Sequence, residues 1–142
     1  MRLDKLTTKF QQALADAQSV AVGNENPYIE PVHVLSALLA QADGGTTALL
    51  QKAGVNLGRL RDSLKAATDR LPKVSGTGGE VSISRELNNL LNLTDREAQK
   101  RGDQYVASEM FLLAMTEDKG EAGRLLKEAG GSKKAIEQAV ES

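Results

Sequence analysis

The sequence predicts an all-α domain of about eight helices, arranged as two four-helix repeats packed with pseudo-twofold symmetry. Three observations carry that prediction. Apolar residues recur at the three-and-four spacing of one helix face through most of the chain. Segments of the second half repeat segments of the first. The 142 residues make one ordinary domain, so two repeats of this size share a single core rather than enclosing a cleft between lobes.

The first helix carries Leu3, Leu6, Phe10, Ala13, Leu14, Ala17 and Ala21 on one face. Asp4 or Thr8 is its expected cap, Thr8 with Gln11 matching a capping box, and Gly23 is its expected left-handed terminus. Glu30-Pro31 opens a second helix, because proline at the first helical position gives up no needed donor; Leu35, Leu38 and Leu39 form its stripe. A short third helix runs from about Thr47 to Gly54. A fourth starts after Asn56, carries Leu57, Leu60, Leu64 and Leu71, and stops at Pro72.

From Pro72 to Ser84 the chain reads PKVSGTGGEVSIS, with three glycines in four residues and β-branched neighbours, the texture of a linker. Helical spacing resumes from Ser84 to Gly102 and restarts after Ser108. It continues through Arg124-Leu125-Leu126 to Gly130 and closes with a helix capped by Ser132. The expected organisation is a single domain over 1–142, with a first repeat at 1–71, an interlobe linker at 72–83 and a second repeat at 84–142.

Internal similarity supports that division. LADAQSVAVG from Leu14 aligns with LTDREAQKRG from Leu93 at an offset of 79, YIEPVHVLSAL with YVASEMFLLAM at 77, and LLQKAG with LLKEAG at 76. Slipping offsets are what small loop deletions leave behind.

Composition excludes several functions. Eighteen basic and nineteen acidic residues give a net charge of -1, without the positive field that concentrates a protein on nucleic acid. Aromatic residues make up 3% and tryptophan is absent, leaving few platforms for stacked bases. No cysteine is present, which excludes disulfides, thiolate metal sites and a cysteine nucleophile. Charge interrupts the first five residues and no apolar run reaches the roughly 20 residues of a membrane span, so the expected location is the cytoplasm.

Candidate chemistry is sparse. Gly76-Thr77-Gly78-Gly79 lacks the lysine of a phosphate-binding loop, since Glu80 follows, and is read as linker. His33 is the single imidazole and has no carboxylate at i+3 or i+4, so it is read as a buried or half-buried helix residue and no metal site is expected. Glu117 and Asp118 suit a solvated helix end. Asp103 follows the helix-ending Gly102, and Glu109 falls in the first turn after the expected cap Ser108, where the helix dipole favours its charge; they form either a cap network or a functional pair. Leu87, Leu90 and Leu91 make a core stripe, while Leu93 lies about 200° around the helix from Leu91. Beside the adaptable Met110, Leu91 and Leu93 form either the wall of an apolar groove, with Thr7, Asp103 and Glu109 at its rim, or plain core.

MRLDKLTTKFQQALADAQSVA, IEPVHVLSALL, the GTGG loop and QKRGDQYVASEMFLLA resemble, over essentially the whole chain, the Clp N-terminal repeat family, in its bacterial AAA+ disaggregase branch. The resemblance implies a substrate-binding domain on a homohexameric ATPase, itself non-catalytic and monomeric when isolated. It would engage unfolded or aggregated polypeptides in cooperation with the DnaK chaperone system. ATP and Mg would belong to AAA+ modules; no Walker lysine motif occurs in these 142 residues, and no cofactor is expected here. Carried over residue by residue, the family's functional polar positions are Thr7, Ser84, Asp103 and Glu109. Related protease unfoldases, ClpA-like or ClpC-like, use such a domain to dock adaptors, or to grip phosphoarginine through a glutamate in each repeat. Here the second repeat has Glu109 and its first-repeat counterpart is Val32, so a paired grip loses half its charge.

Overall fold

Helices α1 (Thr8–Gly23), α2 (Pro31–Ala40), α3 (Gly45–Lys52) and α4 (Leu57–Asp69) form one repeat, and α5 (Arg85–Lys100), α6 (Ser108–Met115), α7 (Glu121–Glu128) and α8 (Lys133–Glu141) the other. The computed structural model describes residues 3–75 and 80–142. Gly76, Thr77, Gly78 and Gly79, the centre of the expected linker, lie outside the described residues. Two short strands, β1 (Tyr28–Ile29) and β2 (Ser82–Ile83), pair in parallel.

Two helices make the centre because they have almost no polar face. Val32 to Leu35 and Ala37 to Leu39 are buried in α2, and all residues from Met110 to Met115 are buried in α6. A helix apolar on every side must be covered on every side. The amphipathic helices supply the cover, presenting Phe10, Ala13 and Ala17 from α1, Leu60 and Leu64 from α4, Leu87 and Leu90 from α5, Leu125 and Leu126 from α7, and Ile136 from α8. These residues belong to one continuous core. Phe10 of the first repeat meets Phe111 of the second, ring centroids 5.4 Å apart and tilted by 53°.

The repeats interlock through their leading segments. Ile83, just before α5, pairs with Ile29 of the first repeat, and Leu6, just before α1, bridges in parallel to Val106 of the second. Each crossing strand then enters a helix through a hydroxyl cap. Strands were not expected from the sequence; Ser82 and Ile83 fall in the expected linker, where the β-branched residues were the signal.

Several expected boundaries shift. Thr7, not Asp4 or Thr8, caps α1, and residues Leu3–Lys5 form a separate 3-10 turn. Gln11 makes no capping box; its amide donates to the Leu3 and Leu6 carbonyls. The cap of α6 is Ala107, with Ser108 its first helical residue. The third helix begins at Gly45. Gly23 ends α1 without a left-handed backbone; that conformation falls on Glu25, φ 58°, which corresponds to Gly102, φ 72°. Helices α1 and α5 therefore superimpose at an offset of 77, not 79, pairing the buried Phe10 with Leu87, Ala13 with Leu90 and Ala17 with Thr94.

Candidate functional site

The two caps are the best-anchored polar side chains of the expected set. Thr7 Oγ1 accepts from the Phe10 amide at 3.3 Å, while the Thr7 amide donates to the Val106 carbonyl at 3.0 Å. Ser84 repeats the arrangement: its Oγ accepts from the Leu87 amide at 3.0 Å and its amide donates to the Ile29 carbonyl at 3.1 Å. Each residue thus closes a helix start and fastens one repeat to the other.

Thr7 opens onto a cavity of about 490 Å³ between α1, α3 and α6, shared with Lys9, Thr46, Lys52, Glu109 and Leu112. The α2–α3 loop is tied across one side by the Lys9–Asp43 ion pair and by Gln41, whose amide donates to the Lys9 carbonyl at 2.8 Å. That lysine holds the Asp43 carboxyl below its ordinary range, first through the hydrogen bond. Glu109 is exposed in the first turn of α6. The cavity beside it carries the lysines Lys9 and Lys52 together with apolar Ala48, Leu49, Ala107 and Leu112.

The symmetry-related position has a different character. There Glu30, Val32, Glu86, Asp118 and Glu121 line a cavity of only about 80 Å³. Burial pushes the Glu30 carboxyl up, the Ser84 hydrogen bond opposes this, and Glu86 and Glu121 push it further. An acidic pocket this small has lost the room and the cations of its counterpart.

A third depression is apolar. Leu3, Leu6, Leu14 and Ala15 on one side and Ile29, Val81, Ile83 and Leu87 on the other enclose about 400 Å³, with Gln11 and Gln18 as its polar members. Among the described residues no charged side chain lines it. Leu3 is 61% exposed and Ile83 45% exposed, so large apolar groups reach solvent at both rims; what sets them apart from singly exposed apolar residues is that they border one contiguous apolar depression.

This arrangement redistributes the expected site. Thr7 and Glu109 share one cavity, but Asp103 is exposed beyond Gly102 and does not line it, and Ser84 lies at the other inter-repeat junction. Leu91 and Met110, 4% and 1% exposed, are core residues, a correction to the expected groove: the burial register of α5 follows Ser84, which turns Leu91 inward with Leu87 and Leu90. Leu93 is partly buried against the same core. The apolar groove instead lies on the α1 side, and the residues missed were Leu3, Leu14, Val81 and Ile83. The alternation Val81-Ser82-Ile83-Ser84 was the available signal. Among the described residues no cluster of three or more His, Asp or Glu could hold a metal ion, and no helix is long and apolar enough to cross a membrane.

The family model of the Clp repeat (R) N-terminal domain matches residues 5–129. The chain belongs to the Clp N-terminal repeat family. As a Clp N-domain it is 51% identical over 141 residues to the chaperone protein ClpB of Vibrio cholerae and 47% identical over 140 residues to ClpB of Pseudomonas putida, in both cases over 99% of this chain and 16% of the relative. It matches the amino-terminal part of ClpB and spans about one sixth of the length of those relatives. The Hsp104 N-terminal domain of Candida albicans has the same fold, with a TM-score of 0.83 at 25% identity, covering 96% of this chain and 90% of that one.

Proposed function

We propose that this Clp N-domain engages unfolded or aggregated polypeptides through the apolar groove between α1 and β2 and passes them to the AAA+ ring of a ClpB-type disaggregase, in cooperation with the DnaK chaperone system. The observation that carries the proposal is the groove itself: eight apolar residues, no charged side chain among the described residues that line it, and exposed leucine and isoleucine at its rims. The ClpB relatives supply the context. In this reading the domain does no chemistry; ATP and Mg are bound by modules outside this chain, within a cytoplasmic homohexamer. Thr7 and Ser84 hold the repeats in register, while Asp103 and Glu109 couple the domain to substrate or ring from its exposed second-repeat surface.

Burying a leucine contributes roughly 1.5–3 kcal/mol before ordering costs, so a few such contacts give weak binding tolerant of sequence. Weakness suits a domain that must release what it holds. Leu3→Gln is expected to weaken a fluorescent unfolded probe, reduced carboxymethylated α-lactalbumin, by about tenfold, with little change between low and moderate salt because the contact is apolar. Unchanged binding in Leu3→Gln, combined with a steep salt dependence that Glu109→Gln abolishes, overturns the groove. That outcome favours the second reading, a ClpA-like or ClpC-like adaptor dock, which rests on the larger charged cavity beside Glu109.

A further inference from the structure

Among the described residues, the parallel pairing of β1 and β2 leaves one edge of β2 without a neighbour. The Ser84 amide donates to the Ile29 carbonyl and Ile29 is registered on Ile83. In a parallel ladder, the residue whose two backbone groups face its neighbour alternates with one whose groups face away. Ile29 is therefore the engaged residue here, and the N–H and C=O of Ile83 point to the far side of β2, as do those of Val81 two residues earlier. Among the described residues nothing hydrogen bonds to that edge.

The other repeat provides an internal comparison. Leu6, the counterpart of Ile83, has the same outward-facing groups, but its amide donates to the Leu3 carbonyl at 3.2 Å and its carbonyl accepts from Gln11 Nε2 at 2.9 Å. The chain closes that edge with its own turn and side chain. The residue matching Gln11 on α5 is Asn88, one methylene shorter, and no such bond forms. One crossing strand is thus sealed and the other offers a ladder.

The open edge also borders the apolar groove. Val81 and Ile83 turn their side chains into it, opposite Leu14 and Ala15 of α1. We propose that an extended segment of the bound polypeptide adds as a strand to β2, its backbone hydrogen bonded to Val81 and Ile83 and its alternate side chains entering the groove. The occupant is an uncharged stretch of alternating apolar residues. An edge of N–H and C=O dipoles matches a peptide backbone, the neutral lining refuses charge, and the added strand continues the sheet by which the two repeats are already joined. Main-chain recognition also explains tolerance of sequence: every unfolded segment carries the same backbone. The inference rests on the groove being the polypeptide site and specifies how that site reads its ligand.

The test uses a short, end-blocked peptide of alternating leucine and threonine, followed by amide hydrogen exchange and side-chain shifts on this domain. Binding is expected to slow exchange at Val81 and Ile83. Methylating the peptide nitrogens at one parity, leucine or threonine, is expected to cost about tenfold in affinity, and at the other parity almost nothing, because only one set faces the edge. Ile83→Pro removes an outward N–H without touching the ladder, as an edge position permits, and is expected to weaken the unmethylated peptide several-fold while the thermal midpoint is retained. The methylated peptides leave the protein unaltered and decide the matter even if that variant unfolds. If Leu3, Leu14 and Ile83 side chains respond but both methylated peptides bind like the parent and the two amides exchange as before, strand addition is wrong and the groove stands. If the groove side chains do not respond to the peptide at all, the inference and the functional proposal fall together.

Discussion

Glu25 holds a backbone conformation that its counterpart fills with glycine: φ 58° against 72° at Gly102. The left-handed region costs a residue with a Cβ roughly 1–2 kcal/mol, and the turn that follows α1 requires it because the Asn26 amide must return to the Ala21 carbonyl at 2.9 Å, as the Asp103 amide returns to Ala98 at 3.0 Å. Glu25→Gly is therefore expected to raise stability by about 0.5–1 kcal/mol, the strain relieved less the greater freedom glycine gains in the unfolded chain. Gly102→Ala is expected to lower it by about 1 kcal/mol. Urea midpoints at constant m-value would measure both, and opposite signs at the two matched positions are the point to check. Gly23 misled the sequence reading because permissiveness is not obligation. A glycine can end a helix, but where α1 ends is set by the packing of Ala21 and by the turn beyond it, which single-residue preference does not see.

At the scale of elements, a buried relay ties the first turn of α2 to the loop before it and to the start of the segment leading to β2. The Glu30 amide donates to His33 Nδ1 at 2.9 Å, so His33 carries its proton on Nε2 and donates to Asn26 Oδ1 at 2.9 Å. Asn26 Nδ2 in turn donates to the Pro72 carbonyl at 3.1 Å. Both His33 and Asn26 are buried, and burial holds the imidazole pKa below its ordinary value of 6.5. As pH falls, the unfolded chain takes up this proton before the folded one does. Stability is thus full above about 6.5 and declines as pH drops through the window below it. Glu30, its carboxyl raised by burial, works in the opposite direction near the ordinary carboxylate range: stability increases as pH falls through that lower window. Thermal midpoints between about pH 7.5 and 5.5 should therefore fall in the parent and fall less in His33→Gln, which lacks the titrating group; equal slopes would remove His33 as the cause. The sequence made the helices legible because each has an apolar stripe, a proline start or a glycine stop. It marked His33 as buried or half-buried for lack of partners at ligand spacing. The relay was not legible, since Asn26 and Pro72 meet His33 only after the chain has folded back, and neither was the groove, whose walls come from α1, the 3-10 turn and β2. Surplus leucines on α5 pointed inward once Ser84 set the helix register.

For the whole molecule, the two crossing strands and the central pair α2 and α6 make it difficult for either repeat to exist alone. Phe10 is covered by α6 of the other repeat, and its ring contact with Phe111 is of the tilted type that adds about 0.5–1.5 kcal/mol beyond area burial. The Asn56 amide, at the start of α4, donates to the Ala129 carbonyl at the end of α7 at 2.8 Å, a further bond between repeats. A chain of this size buries about two thirds of its unfolded surface only if it forms one core, and half of it would leave α2 or α6 with an apolar face in water. Unfolding is accordingly expected to be one transition. Phe10→Leu and Phe111→Leu, chosen because they conserve most of the volume, should each cost about 1–1.5 kcal/mol, and the double variant should lose less than the sum because the ring pair is counted once. Tyr28 and Tyr105, one exposed tyrosine in each repeat, provide separate reporters by nuclear magnetic resonance. Both signals should lose native intensity at the same urea concentration in the parent, and shift together in either variant. If Phe10→Leu moves the Tyr28 transition and leaves that of Tyr105 in place, the repeats are separate folding units and the shared core is only a contact between them.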